Sequence, residues 1–124
     1  MYSKKVIQHF MHPKYLGKMK NPDAKGRVGN PRCGDMMDLY LKIDKKTQKI
    51  KDIKFHALGC AAAIASSDMI CDLVKGKTIK QALEIKFKDI LKELGDLPSL
   101  KIHCSVLATQ ALQKAVEDYY KKQR

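Results

Sequence analysis

The spacing of the apolar residues changes once along this chain, and that change constrains the fold more than any other feature. Met37, Leu39, Leu41 and Ile43 alternate with Asp38, Tyr40 and Lys42, and Ile53, Phe55 and Ala57 alternate with Asp52, Lys54 and His56. A period of two marks half-buried strands, and the polar run Asp44-Lys45-Lys46-Thr47-Gln48-Lys49 between them reads as a hairpin turn. After Gly59 the spacing becomes helical. Ala62, Ala65, Met69, Ile70, Leu73 and Val74 fall on one face, with Gly76 as the stop. Thr78 caps a shorter helix running to Ile85, and residues 88–94 form another. Gly95-Asp96-Leu97-Pro98 breaks the pattern. From Cys104 onward, Ala108, Ala111, Leu112, Ala115, Val116 and Tyr119 repeat at helical spacing in a final amphipathic helix. Strands followed by helices predict an α+β domain, with helices packed on one face of a small antiparallel sheet of about three strands.

The N-terminal third is less regular. Ser3 is placed to cap a helix over residues 4–11, with Val6, Ile7 and Phe10 as its apolar side and Pro13 as its stop. Residues 13–35 hold three prolines and four glycines, which predicts a long, irregular and mobile segment, with residues 27–30 adding a short strand. The 124 residues amount to one domain, residues 1–30 of it partly flexible. No apolar run approaches the roughly 18–20 residues that span a bilayer, and the N-terminus lacks a secretory pattern, so no membrane is expected and the setting is cytoplasmic. Lys and Arg number 25 against 13 Asp and Glu, a net charge of +12 that suits an acidic partner. Arg, the usual reader of bases and phosphates, occurs only at positions 27, 32 and 124, so nucleic acid is not the expected one.

The chemistry lies in the cysteines. Four of them in a cytoplasmic-looking chain do not read as a disulfide framework, and no C-x-x-C pair is present. Cys33 sits in Cys33-Gly34-Asp35 before the first strand, where Gly34 permits a tight turn; Cys60 opens the alanine-rich helix; Cys104 follows His103 at the head of the last helix. Free N–H groups and the helix dipole at these starts should lower the pKa of Cys60 and Cys104. Cys71 lies about 16 Å beyond Cys60 along the helix, too far to share a small metal centre, and reads as core. Three thiols with Asp35 and His103 offer soft and hard donors for Zn²⁺, Fe²⁺ or an iron–sulfur cluster. Taken singly, Asp35 could cap a turn, His103 could be a helix-start hydrogen-bond partner, and each cysteine could be packing.

Three motifs in order resolve that ambiguity: Gly29-Asn30-Pro31-Arg32-Cys33-Gly34-Asp35, Gly59-Cys60-Ala61-Ala62-Ala63-Ile64-Ala65-Ser66-Ser67 and Lys101-Ile102-His103-Cys104-Ser105, with the cysteines 27 and then 44 positions apart. Together with Val6-Ile7-Gln8-His9-Phe10 and Pro13, they make the chain resemble the IscU/NifU-type iron–sulfur cluster assembly scaffolds along essentially its whole length. The spacing is unlike the SufU branch, which carries an insertion, and the resemblance is to the stand-alone IscU-like form. It implies a SufE/NifU-like α+β fold and a non-enzymatic scaffold. A cysteine desulfurase of the IscS/NifS kind would deliver persulfide sulfur, iron would arrive, and a transient [2Fe–2S] cluster would form and pass to recipient apo-proteins. It further implies that Cys33, Cys60 and Cys104 bind the cluster and accept sulfur, and that either Asp35 or His103 completes the coordination. A hard carboxylate beside thiolates bonds iron weakly, which favours release. The same site would accept Zn²⁺, and a structural zinc protein built on these ligands is the alternative.

One segment departs from the family pattern. The Leu-Pro-Pro-Val-Lys gripped by a DnaK-type chaperone is here Leu97-Pro98-Ser99-Leu100-Lys101, and losing the second proline weakens the preset extended backbone. A hydrolase built on His103-Cys104 is disfavoured, because neighbours on a helix point about 100° apart.

Overall fold

A computed structural model describes residues 2–30, 32, 34–95 and 97–122. The order of elements is α1 (Lys4–Met11), β1 (Ala24–Asn30), β2 (Asp35–Ile43), β3 (Ile50–Leu58), α2 (Ala61–Val74), α3 (Ile79–Leu83), α4 (Phe87–Leu94), a 3₁₀ turn (Ser99–Lys101) and α5 (Ile102–Lys122). The strands form one antiparallel sheet in the order β1-β2-β3, the α+β architecture read from the periodicity.

β2 occupies the centre. Its odd-numbered residues and Ile53 and Phe55 of β3 face α2 and α5, and these side chains form the core with Ile70, Val74, Leu112 and Val116. The expectation of a half-buried β2 is corrected here. Asp38 and Tyr40 on its other face are buried too, because edge-strand side chains fold over them: Arg27 clasps Asp38 through Nε–Oδ1 at 2.6 Å and Nη2–Oδ2 at 2.9 Å, and Lys25 lies over the Tyr40 ring at 5.6 Å. α2 also differs from a one-faced helix, burying Ser66, Ser67, Asp68 and Cys71 as well as its apolar stripe. It lies between α1, β3, α4 and α5. Cys71 is fully buried, in the core role expected of it.

The proline- and glycine-rich segment is more regular than its composition suggests. Residues 24–30 form a full strand paired with β2 from Ala24↔Leu41 to Asn30↔Asp35. Gly26 is needed there for space: a Cβ would press into the Ala111 carbonyl and the backbone of Ala115, so its absence lets α5 lie directly on the strand. Ahead of β1, Leu16 bridges Phe55 in parallel fashion, with Phe55 N donating to Tyr15 O at 2.9 Å and Gly17 N donating to Phe55 O at 2.8 Å. This strap is anchored on α2: the buried Asp68 accepts from Tyr15 N at 2.9 Å and pairs with His9 Nδ1 at 2.6 Å, and Tyr15 OH donates to Asp72 at 2.9 Å. Ser3 caps α1 as expected, accepting from Val6 N at 3.1 Å while its hydroxyl donates to Leu94 O. Only Val6 of the helix is buried; Ile7 and Phe10 are exposed.

Candidate functional site

The β1–β2 turn, the end of β3 and the start of α5 converge at one end of the sheet. β3 ends at Leu58, Gly59 reverses the chain, and Cys60 becomes the N-cap of α2 with extended backbone (φ −81°, ψ 176°). Its carbonyl accepts from Ala63 N at 3.0 Å and Ile64 N at 3.2 Å, which starts the helix and leaves the first amides pointing at the thiol. Burial works against ionisation of Cys60. The amides of Ala63 and Ala62, the Lys101 ammonium and a hydrogen bond from Cys104 outweigh it, so the thiol lies below its ordinary value, as expected from its position.

Cys104 is the opposite case and corrects the expectation for it. The helix begins at Ile102 after a 3₁₀ turn, so Cys104 lies within the first turn rather than at a free end. It is 1% exposed, and burial, the Cys60 thiolate, the hydrogen bond to that thiolate and Asp35 together raise its pKa to about 12, with Lys101 opposing.

Asp35 begins β2 beside Cys60. A Cβ built on Gly59 would stand 3.0 Å from Asp35 Oδ1, so the glycine clears the space into which that carboxylate reaches. Gly34 takes φ +79°, the left-handed turn read from Cys33-Gly34-Asp35. His103 is exposed on α5. Its Nδ1–H donates to Leu100 O at 3.0 Å, leaving Nε2 with the free lone pair, 3.7 Å from Cys104 Sγ. Cys33 lies outside the described residues. Among those described, no three His, Cys, Asp or Glu side chains come together closely enough to hold a metal ion. The structure thus places Cys60 and Cys104 side by side, with Asp35 within electrostatic reach of Cys104 and His103 at the rim.

A family model described as the NifU-like N-terminal domain matches residues 1–124. The chain belongs to that family. A NifU-like relative from Archaeoglobus fulgidus, named iron-sulfur cluster assembly scaffold protein IscU 1, is 50% identical over 122 residues, covering 98% of this chain and 78% of the relative. Another, the Haemophilus influenzae iron-sulfur cluster assembly scaffold protein IscU, is 45% identical over 125 residues, 98% of each chain. Among solved structures, a SUF-system scaffold protein of the same kind from Fervidobacterium islandicum AW-1 superposes with a TM-score of 0.74 at 27% identity, covering 93% of this chain and 96% of that one. Cys60 and Cys104, 44 residues apart, come together because β3 hands over to α2 at Cys60 where the 3₁₀ turn leads into α5.

Lys101 is the site residue that motif reading missed as such. In sequence it only opens Lys101-Ile102-His103-Cys104-Ser105 and closes Leu97-Pro98-Ser99-Leu100-Lys101, yet the turn brings its ammonium near Cys60, whose negative charge on ionisation raises the Lys101 pKa. Leu100, in the same turn, is 84% exposed. No helix among the described residues is long and apolar enough to cross a membrane.

Proposed function

We propose that this NifU-like domain is a scaffold on which a [2Fe–2S] cluster is assembled and from which it is passed on. The observation that carries the reading is the Cys60–Cys104 pair, one thiol easier to ionise than usual and one harder, side by side with the Lys101 ammonium and Asp35 close to them. Cys33, Cys60 and Cys104 would hold the cluster, with Asp35 or His103 as the fourth ligand. A thiol that ionises readily can, as its thiolate, bond iron or accept a sulfane sulfur from a desulfurase persulfide. The new S–S bond forms as the donor's S–S bond breaks and its thiolate leaves. Lys101 balances negative charge accumulating at the pair. Asp35 supplies a hard, weakly held ligand suited to a cluster meant to leave. The cargo is iron and sulfide; the partners are a cysteine desulfurase and recipient apo-proteins, in a cytoplasmic setting.

The test is anaerobic reconstitution with Fe²⁺, cysteine and a cysteine desulfurase, followed by visible absorption and iron and sulfide analysis. A [2Fe–2S] spectrum is expected that is lost in Cys33→Ala, Cys60→Ala and Cys104→Ala, survives Cys71→Ala and transfers to an apo-ferredoxin. A tightly held zinc that resists chelation while no cluster forms would overturn the reading in favour of a structural zinc protein.

A further inference from the structure

Cys60 and Cys104, side by side, are carried at the starts of different helices, so their separation depends on how α2 sits against α5. The cysteine-bearing ends of both helices are built from small residues. Between Cys60 and Met69, α2 buries Ala62, Ala63, Ala65, Ser66, Ser67 and Asp68; between Cys104 and Leu112, α5 buries Ser105, Ala108, Thr109 and Ala111. Small side chains allow close approach, but they offer little interdigitation to resist a slide of one helix along the other. Two of the hydroxyls there are satisfied within their own helix: Ser67 donates to Ala63 O at 2.8 Å and Thr109 to Val106 O at 2.7 Å. Ser66 and Ser105 do otherwise. Both are fully buried, and their Oγ atoms meet across the helices at 3.1 Å, 39 residues apart in sequence.

We propose that the Ser66–Ser105 hydrogen bond is a positioning contact that sets Cys104 against Cys60. Ser105 is the next residue after Cys104, and Ser66 is about 9 Å along α2 from Cys60, so the bond lies close behind the sulfurs on two stiff elements. Each hydroxyl could instead turn to a carbonyl four residues back, Ser66 to Ala62 within α2, as Ser67 does to Ala63, and Ser105 to Lys101 in the turn ahead of α5. Losing the bond therefore frees the register without unfolding the helices. The proposal rests on the reading that Cys60 and Cys104 act as a pair, but its test does not require a cluster.

Reduced metal-free protein is treated with dibromobimane, which bridges neighbouring thiols, and the Cys60–Cys104 bridge is located and quantified by peptide mass spectrometry. In Ser66→Ala, Ser105→Ala and the double variant, the ratio of bridged to singly alkylated product should fall about ten-fold, the scale of a sub-ångström to ångström misplacement of reacting groups. Ser67→Ala is the control: it removes a buried hydroxyl from the same helix and should lower stability while leaving bridging at the parent value. Unchanged bridging in folded Ser66→Ala and Ser105→Ala overturns the proposal, as does an equal loss in Ser67→Ala. If the double variant does not fold, the single variants decide. Normal bridging behaviour in a parent that assembles no cluster would overturn the scaffold reading alone.

Discussion

Cys60 and Cys104 lie side by side and are shifted to opposite sides of an ordinary thiol, the half-buried one downward and the buried one up to about 12. The asymmetry follows from position. Cys60 caps a helix with amides aimed at it, whereas Cys104 is inside a helix with a thiolate for a neighbour.

Between pH 7 and 9, iodoacetamide should therefore label Cys60 and spare Cys104. The thiolate fraction of Cys60 grows as pH rises through its lowered pKa, so its rate profile inflects below that of a free thiol. Lys101→Met removes a cation that favours the thiolate and moves the inflection upward. An unmoved profile, by mass-resolved alkylation kinetics, would show that Lys101 does not act on Cys60.

On the proposed scaffold role, Asp35→Ala should lengthen the lifetime of an assembled cluster, since it removes the hard carboxylate that reaches the space cleared by Gly59. The decay of visible absorption under a fixed concentration of chelator measures this. A shorter lifetime would mean that Asp35 holds the cluster rather than loosening it.

Gly26→Ala places a methyl group into the backbone of α5 at Ala111 and Ala115, where no side chain can move aside. It should cost about 3 kcal/mol in urea unfolding, the upper range for overpacking. Because α5 carries Cys104, cluster yield should fall as well.

The Arg27–Asp38 clasp predicts a specific acid sensitivity. Burial alone would raise the Asp38 pKa, but the guanidinium's hydrogen bonds and charge carry it below the ordinary carboxylate value. A depressed folded-state pKa contributes stability that is present above the unfolded value, about 3.9, and lost as pH falls through the folded one. Asp38→Asn should lower the melting temperature at pH 7, and the gap from the parent should close below about pH 4.

Asp68→Ala removes the acceptor shared by His9 and Tyr15 N, leaving that amide unsatisfied at a cost of about 1–3 kcal/mol. Hydrogen exchange should quicken first in residues 4–17, before the sheet loosens.

Much of this was legible in the sequence because period and capping are local signals. The β2–β3 hairpin, the Ser3 and Thr78 caps and the core placement of Cys71 follow from residue type and spacing alone. Only residues 27–30 of β1 read as strand, because its two glycines and lone apolar pair, Ala24 and Val28, make the rest look like a loop; Gly26 is there to admit α5, a requirement set by a helix some 80 residues later. The half-buried reading of β2 failed for a related reason: Arg27 and Lys25 shield Asp38 and Tyr40 only once β1 is paired. At the site, motif order singled out Cys33, Cys60 and Cys104 as candidates. The opposite titration of Cys60 and Cys104 and the reach of Lys101 depend on burial and three-dimensional contact, which spacing does not encode.

The strap over β3 bears on how such a protein behaves when crowded with copies of itself. An unoccupied strand edge is a template for another chain. Here the outward amide and carbonyl of Phe55 are taken by Tyr15 and Gly17, and at the opposite edge the Lys25 amide is taken by the Asp118 carboxylate at 3.0 Å. Both borders of the sheet are thus closed by the chain's own ends. Loosening either one would expose a growth front for aggregation, so resistance to precipitation is tied to the N-terminal strap and the C-terminal helix rather than to the sheet itself.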